Sequence, residues 1–252
     1  MQNKKIHRFP VTTSTNDEAI RRAKEGGEEG EIFVAEKQTA GRGRMGRNWE
    51  SAEGKNLTIS FLLRPKLSTA RANLLTLVAG AALFDAIAPL APKSSLKIKW
   101  PNDLYLNDKK MAGVLTESES RGDQLQWVVC GIGIDLNTDP KDFSPEVRKI
   151  ATSLKIATGK EVNRAEVTDR LIEAFEQRYL QFCKTADQGS TDLLRFVDQH
   201  SYLKGKRVSV EATKVGVKGV VLGLNPEGHL LLKTDSGEIK PIVSGDVLVE
   251  NS

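Results

Sequence analysis

Three arginines alternate with three glycines in one short segment of this chain. Residues 41–47 read G-R-G-R-M-G-R and contain no acidic residue. Glycine lets backbone N–H groups approach a ligand closely, and the planar guanidinium group of arginine binds phosphate or carboxylate through paired hydrogen bonds. Because Arg42, Arg44 and Arg47 repel one another, we expect a loose loop until an anion binds. A polyphosphate is the anion that this pattern favours.

The same spacing satisfies G-x-G-x-x-G, the fingerprint of dinucleotide-binding folds. That fingerprint requires a helix that begins at the glycines and an acid about 20 residues further on. Here a polar segment follows at residues 48–56, a strand-like alternation follows at 57–63, and residues 61–64 read F-L-L-R. No G-x-x-x-x-G-K-[ST] motif of a P-loop is present. The sequence therefore argues against both a Rossmann site and a P-loop site.

Three further motifs contain residues that could bind an anion. Residues 96–100 alternate as a strand that ends at Pro101, and we expect it to deliver Asn102 and Asp103 to its carboxyl end, where ligands tend to bind. A plain Pro-Asn-Asp turn is the alternative interpretation. Lys110 begins K-M-A-G, whose small residues leave room for a flat ligand. Residues 131–134 read G-I-G-I, and glycines inside a strand indicate a bulge or a close ligand.

The three histidines give no support to histidine-based chemistry. His7, His200 and His229 are far apart in the sequence and far from the glycine-rich motifs. This distribution argues against a Ser-His-Asp triad and against a histidine metal site. We therefore expect chemistry that depends on the placement of charge, as in phosphoryl and nucleotidyl transfer.

Composition indicates an ordinary globular protein, and the distribution of its charge says more than the total. Of 252 residues, 39% are hydrophobic and 28% are charged, and the net charge of +4 is too small to imply nucleic-acid binding by itself. Two basic stretches, the arginine loop and five lysines between residues 93 and 110 with only two acids among them, favour a polyanionic small molecule if they converge on one pocket. The alternative for Lys93, Lys97 and Lys109 is that they are ordinary solvated surface lysines. We find no signal peptide and no membrane-spanning segment, and the two cysteines fit a reducing cytoplasm.

The periodicities predict an α+β fold. A capping box at residues 15–18 begins a helix, residues 73–88 form a helix buried on several sides, and Asn163 caps a longer helix. Strand patterns at 111–119 and 124–137 form a hairpin. After Gly205, five short strands in about 45 residues indicate a small β-barrel or SH3-like module. We predict a catalytic domain at residues 1–203 and a C-terminal domain at 204–252.

The motifs, taken in this order, resemble those of the biotin protein ligases. The resemblance rests on Ser14-Thr15-Asn16, the loop at 41–49, K-W-P-N-D at 99–103, K-M-A-G at 110–113, G-I-G-I at 131–134 and the closing β-module. It implies a mixed-sheet catalytic domain followed by an SH3-like β-barrel. No winged helix-turn-helix is evident, so the chain resembles the class that is not a repressor. One departure is Asp135, where the family usually has asparagine, which leaves a contact of this residue with the adenylate open.

The resemblance implies an ATP-dependent ligase that forms a C–N bond. Biotin and ATP would give biotinyl-5′-AMP, and a lysine of a biotin carboxyl carrier protein would then take the biotinyl group. The biotin carboxylate is already an anion at neutral pH, so its attack on the α-phosphate needs relief from repulsion and no histidine base. One cation at ~4 Å contributes about 4 kcal/mol at an effective dielectric constant near 20. We expect ATP phosphates to carry most of the Mg²⁺ coordination, with no all-protein metal cage, and Asn102 to help hold Mg²⁺ or phosphate.

The resemblance also assigns catalytic roles. Arg42 and Lys110 would neutralise the carboxylate and the α-phosphate, and Arg44 and Arg47 would engage phosphates or hold the loop closed. Asp103 would accept a proton from the incoming lysine, although an adenylate oxygen is an alternative acceptor.

Two binding sets follow from the same resemblance. The biotin set consists of Ser14, Thr15, Asn16, Gln38, Gly41, Arg42, Lys110, Gly113, Leu115 and Gly131. The ATP and adenylate set consists of Arg42, Gly43, Arg44, Arg47, Trp49, Asn102, Lys110 and Asn137. Trp49 would pack over the adenylate, or else be an ordinary core tryptophan.

Two other functions are compatible with these motifs. A lipoate–protein ligase would share the fold and differ in the pocket for the acid. A nucleic-acid-binding protein would use the arginine loop and the β-module, but only 6% of the residues are aromatic and no helix-turn-helix is evident. We predict no nucleic-acid or membrane partner. The resemblance makes a homodimer possible, and no motif in the chain supports one.

Overall fold

The computed structural model describes residues 5–91, 95–184, 186–211 and 216–250. Lys93 of the predicted lysine cluster lies outside them. The first part of the chain contains β1 (Ile6–Thr12), α1 (Thr15–Lys24), β2 (Ile32–Gln38), β3 (Leu57–Leu63), α2 (Ala72–Ile87), β4 (Leu96–Lys99), β5 (Asp103–Leu106), β6 (Lys109–Arg121) and β7 (Gln124–Ile134). The remainder contains α3 (Pro145–Ile150), α4 (Leu154–Thr158), α5 (Arg164–Lys184), α6 (Ala186–Gln199), β8 (Arg207–Glu211), β9 (Val217–Leu224), β10 (Leu230–Thr234), β11 (Ile239–Ile242) and β12 (Asp246–Val249).

Seven strands form a mixed sheet in the order β1-β2-β3-β7-β6-β5-β4. Only β1 and β2 pair in parallel, and the other neighbours are antiparallel. The register aligns the motifs: Asp103 of β5 lies opposite Gly113 of β6, which lies opposite Gly133 of β7. One row across three strands therefore contains residues from three motifs.

Both faces of the sheet are covered. Helices α2 and α5 pack on one face, where Phe61 of β3 stacks on Phe175 of α5 with ring centroids 3.9 Å apart. Helix α1 covers the other face with Ala19 and Ala23 against Phe33. Every residue of β3 is buried, because a central strand covered on both faces has no side for water.

One helical segment is long and apolar enough to cross a membrane. Thr69–Ile87 spans 19 residues with a mean hydropathy of 1.4, and 67% of that segment is buried inside the protein. It contains α2, which packs against α5 and against β6 and β7. Burial in the core accounts for this apolar composition.

The last five strands form an antiparallel sheet in the order β11-β10-β9-β8-β12. This sheet packs onto the first part of the chain: the indole N–H of Trp100 donates to the carbonyl of Gly228 at 2.9 Å. Asn73 of α2 donates to the carbonyl of Glu227 at 2.8 Å. The predicted α+β class, with a mixed-sheet part followed by a small all-β module, is confirmed.

Several predicted boundaries are wrong by a few residues. Ser14, and not Thr15, caps α1, since its hydroxyl accepts the N–H of Asn16. Pro101 and Asn102 do form a turn, but Asp103 begins a strand that the sequence did not reveal. Strand β7 ends at Ile134 and not at residue 137.

Candidate functional site

A cavity of about 520 Å³ lies where the loop at residues 41–49 meets strands β5, β6 and β7. Residues 245–248, around the start of β12, form part of its wall. Nearly all of the predicted site residues line it: Ser14, Thr15, Asn16, Gln38, Arg42, Gly43, Arg44, Arg47, Trp49, Asn102, Asp103, Lys110, Gly113, Leu115 and Gly131.

Gly41 and Asn137 are predicted site residues that do not line the cavity. Gly41 is buried behind it, where a Cβ atom would lie 2.7 Å from the carbonyl oxygen of Trp49, so glycine is needed for close packing. The side-chain N–H of Asn137 donates to the backbone carbonyl of Val162 at 2.9 Å, and Asn137 Oδ1 accepts the backbone N–H of Val162 at 3.0 Å. The Asn137 side chain therefore anchors the segment before α5 and is not available to an adenylate in the cavity.

One end of the cavity is a network of small polar side chains. Gln38 Oε1 accepts both the N–H and the hydroxyl of Thr15, at 2.8 and 3.0 Å. The Ser60 hydroxyl lies 2.8 Å from Thr15 Oγ1 and 2.6 Å from Asn16 Oδ1. Ser60 is fully buried and was not predicted, although a serine in the mostly apolar β3 was a usable signal. This end can bind a small polar ring through several donors and acceptors.

The two glycines of G-I-G-I are required by close approach of side chains. A Cβ atom at Gly131 would lie 2.0 Å from Asn16 Oδ1, and one at Gly133 would lie 2.5 Å from the ring of Trp49. The Trp49 ring therefore packs closely against β7 at Gly133, and its buried Nε1 has no hydrogen-bond partner among the residues that the structure describes. The floor between these two contacts suits a flat ligand.

Distant acids pair with two of the loop arginines. Arg42 donates to Asp17 of α1 at 2.6 Å and to both oxygens of Glu117 of β6 at 3.0 and 2.9 Å. Arg47 donates to Asp246 of β12 at 2.8 Å. The absence of acids within the loop is thus offset by acids from three other elements, which the loop sequence alone did not indicate.

The remaining predicted cations, Arg44 and Lys110, also line the cavity. Arg44 donates to the side-chain oxygen of Asn102 at 3.1 Å, and Asn102 in turn donates to the carbonyl of Val114. Lys110 Nζ lies 2.7 Å from Asp103 Oδ1. Arg42 and Lys110, from segments far apart in the sequence, line the same cavity.

Asp135 is a buried carboxyl in the cavity wall, only 4% exposed. Its Oδ1 accepts the Asn56 amide at 2.9 Å, and the Asn56 oxygen accepts the Thr138 hydroxyl. Burial raises the pKa of Asp135 well above its ordinary value, while Lys110 and the Asn56 hydrogen bond oppose the rise. The group is therefore held towards its neutral form, which can donate a hydrogen bond as an amide does.

An apolar part of the cavity wall was not predicted. Phe143, Val147, Ile150 and Ala151 come from the segment around α3, and Ile150 is 65% exposed. Leu248 of β12 contributes from the other side and is 50% exposed. The spacing of Val147 and Ile150, three residues apart on a short helix, was the only sequence signal.

Two family profiles match the chain. The biotin/lipoate A/B protein ligase family matches residues 8–135, and the biotin protein ligase C-terminal domain matches residues 205–249.

Similar proteins and structures agree with these profiles. The bifunctional ligase/repressor BirA of Bacillus subtilis is 38% identical over 237 residues, which cover 94% of this chain and 71% of that protein. The biotin--[acetyl-CoA-carboxylase] ligase of Mycobacterium tuberculosis is 31% identical over 94% of this chain and 86% of its own length. A structure of the Aquifex aeolicus biotin protein ligase in complex with biotin and ATP covers 99% of this chain and 100% of its own, with a TM-score of 0.81 and 29% identity.

Proposed function

The chain belongs to the biotin/lipoate A/B protein ligase family, and we propose that it activates biotin with ATP and attaches the biotinyl group to a carrier protein. The acceptor is a lysine of a biotin carboxyl carrier protein or domain. The observation that carries this proposal is the convergence of Arg42, Arg44 and Lys110, from two distant segments, on one cavity with a polar end and a flat floor.

In the first step, a carboxylate oxygen of biotin attacks the α-phosphorus of ATP. The bond between that phosphorus and the β-phosphate bridging oxygen breaks, and pyrophosphate leaves with the electron pair. Two anions must approach each other, so cations at the junction lower the barrier. We assign this role to Arg42 and Lys110, which come from distant segments of the chain and line the same cavity.

For the second step, we propose that the lysine amine of the carrier attacks the carbonyl carbon of biotinyl-5′-AMP. A C–N bond forms, the C–O bond to the phosphate breaks, AMP leaves, and the amine loses one proton. Asp103 is our candidate acceptor of that proton, with an adenylate oxygen as the alternative. Its ion pair with Lys110 holds Asp103 at the cavity wall.

We assign the polar end of the cavity to the ureido ring of biotin. The ring presents two N–H donors and one carbonyl acceptor, and Ser14, Thr15, Asn16 and Gln38 offer the complementary groups. The need for glycine at Gly131 supports this assignment, because the Asn16 amide occupies the space that a side chain would fill.

Trp49 and the glycine-flanked floor are our assignment for the adenylate. Arg44, Arg47 and Gly43 cover it from the loop, and Asn102 orients Arg44.

Magnesium would enter this site with ATP. Among the described residues, no group of three or more histidine, cysteine, aspartate or glutamate side chains can hold a metal ion. A Mg²⁺ ion would therefore take its ligands mainly from phosphate oxygens and water, which suits its preference for oxygen ligands and retained water. Its chemistry would be to neutralise charge on the phosphates.

We place the catalytic domain at residues 1–203 and the C-terminal domain at 204–252, and the reaction in the cytoplasm. The free thiols Cys130 and Cys183 support a reducing compartment. A homodimer, and the absence of nucleic-acid and membrane partners, stay predictions.

The test of this function is direct. The protein is incubated with biotin, ATP, Mg²⁺ and a carrier domain that an established ligase can label, and the product is analysed by mass spectrometry. We expect one carrier lysine to gain a biotinyl group. An unlabelled carrier would contradict the proposal, and adenylate formation with lipoate that outcompetes biotin would reassign the acid.

A further inference from the structure

Lys99 is a cation of the cavity to which the two chemical steps assign no role. It ends β4, lines the cavity, and has Asp103 as its backbone partner on β5. Its Nζ donates to the hydroxyl of Tyr105 at 3.0 Å and lies 5.0 Å from the centroid of that ring. These contacts direct the ammonium group to one place beside the cavity.

The ion pairs of the cavity leave Lys99 without an acid. Arg42, Arg47 and Lys110 each contact a carboxylate. In the part of the chain that the structure describes, Lys99 forms no such pair, and its partner Tyr105 is a phenol. Burial raises the pKa of Tyr105 to about 12, so this phenol stays neutral at physiological pH.

A half-buried lysine without an acid is unfavourable as a charged group. Burial lowers the pKa of Lys99, with Asp103 and Asp246 acting in the opposite direction and Arg47 adding to the fall. An anion beside Nζ would remove this penalty, because it would favour the charged form. The position thus combines a directed cation, an unmet need for negative charge and access to the cavity.

In the proposed chemistry, the β- and γ-phosphates of ATP have Mg²⁺ and the loop residues Arg44 and Arg47 as assigned cations, and none from the strands of the sheet. Arg42 and Lys110 serve the carboxylate and the α-phosphate, whereas the β- and γ-phosphates of ATP carry most of the negative charge and become pyrophosphate. Lys99 of β4 is separated from Lys110 of β6 by the intervening strand β5, which carries Asp103. Residues 245–248 and the arginine loop line the same cavity as Lys99.

We propose that Lys99 binds the β- and γ-phosphates of ATP, and then pyrophosphate, and takes no part in the transfer step. This inference rests on the proposed function. It predicts that removing the Lys99 charge impairs adenylate formation and leaves transfer to the carrier unchanged, because biotinyl-5′-AMP no longer contains the phosphates that Lys99 would bind. A structural role for Lys99 would affect both half-reactions alike.

The experiment uses Lys99→Met, which keeps the length of the side chain and removes the charge, and Lys99→Arg, which restores a charge. Lys97→Met is the matched control, since Lys97 lies two residues earlier on the same strand and does not line the cavity. Three quantities are measured for each protein: biotin-dependent exchange of pyrophosphate into ATP, transfer to the carrier from synthetic biotinyl-5′-AMP, and biotin affinity.

We expect Lys99→Met to raise the KM for ATP and the inhibition constant of pyrophosphate about tenfold or more, the size of one lost charge-assisted contact. Transfer from the synthetic adenylate and biotin affinity should stay within about twofold of wild type by the same reasoning. Lys99→Arg should recover part of the loss, and Lys97→Met should match wild type.

The outcomes separate the inference from the function on which it rests. Normal exchange in Lys99→Met, or an equal loss in exchange and transfer, would overturn the role of Lys99 while leaving the ligase function intact. A wild-type protein that catalyses neither exchange nor transfer would overturn the proposed function, and the role of Lys99 with it.

Discussion

The ammonium group of Lys110 lies 2.7 Å from the carboxylate of Asp103 on the neighbouring strand. Gly113 leaves room beside this pair: a Cβ atom there would lie 3.2 Å from Lys110 Nζ, a tight contact, and 3.4 Å from Asp103 Oδ1. The ring of Trp49 is on another side of the ammonium group, with its centroid 5.7 Å from Nζ. Lys110 is therefore held in place before any ligand binds, as preorganised electrostatic catalysis requires.

The first prediction concerns the charge of Lys110. Lys110→Ala should reduce the rate of biotinyl-adenylate formation about 10²-fold or more, the effect of losing one preorganised charge-stabilising group. Pyrophosphate release in a single turnover measures this rate. Lys109→Ala is the control, because Lys109 is the exposed neighbour on the same strand. A variant with a near-normal rate would remove Lys110 from the mechanism.

The second prediction concerns the arginine loop as a cover. Arg44→Gly removes the contact with Asn102 and a cation above the cavity, so biotinyl-5′-AMP should escape about tenfold faster, as expected for one lost charge-assisted hydrogen bond. Released adenylate would then label lysines of a bystander protein. Lys66→Gly, a similar change in an exposed loop residue, serves as the control. Labelling that stays confined to the carrier would show that Arg44 does not retain the adenylate.

The third prediction concerns the space beside Asn16. Gly131→Ala would place a Cβ atom 2.0 Å from Asn16 Oδ1, so the amide must move out of the polar network. Overpacking of this kind costs about 1–3 kcal/mol. If the amide binds biotin and the cost falls on the biotin complex, affinity should fall about fivefold to 150-fold. Gly80→Ala in α2 is the control, because its Cβ atom would meet only Ile98 at 4.0 Å. Calorimetric titration with biotin compares the two, and equal affinities would argue against Asn16 as a ligand.

Local patterns in the sequence were sufficient to predict the course of the backbone near the site. Strand alternation places Gly131 and Gly133 on β7, and the strand that ends before Pro101 does bring Asn102 and Asp103 to the cavity. These features depend on residues within a few positions of one another. The periodicity of a single segment is enough to predict them.

Side-chain partners and directions required the three-dimensional register. Arg42 pairs with Asp17 and Glu117, which are 25 and 75 residues away, and only the alignment of the sheet with α1 brings them together. Asn137 was assigned to the ATP and adenylate set by the family resemblance, and the strand pattern was expected to run to residue 137. Since β7 ends at Ile134, the alternation stops and the Asn137 side chain points to Val162 instead.

The buried carboxyl of Asp135 links the site to the stability of the protein. Its raised pKa means that the folded protein keeps the proton after the unfolded chain has lost it. Below an ordinary aspartate pKa of about 4, both states are protonated and the group has no net effect. As the pH rises above that value, ionisation favours the unfolded chain, and the loss of stability stops once the pH exceeds the pKa in the folded protein.

The fourth prediction follows from this sign. The amide of the Asp135→Asn variant cannot ionise. The free energy of unfolding of this variant, minus that of wild type, should therefore grow by about 1.4 kcal/mol per pH unit above pH ~4, until the pKa in the folded protein is reached. Urea unfolding at about pH 5, 6 and 7 measures the difference, and other titrating groups cancel because both proteins contain them. Asp169→Asn, on the exposed surface of α5, provides the baseline. If the difference between Asp135→Asn and wild type is the same at all three pH values, Asp135 ionises like an exposed carboxyl and is not held in its neutral form.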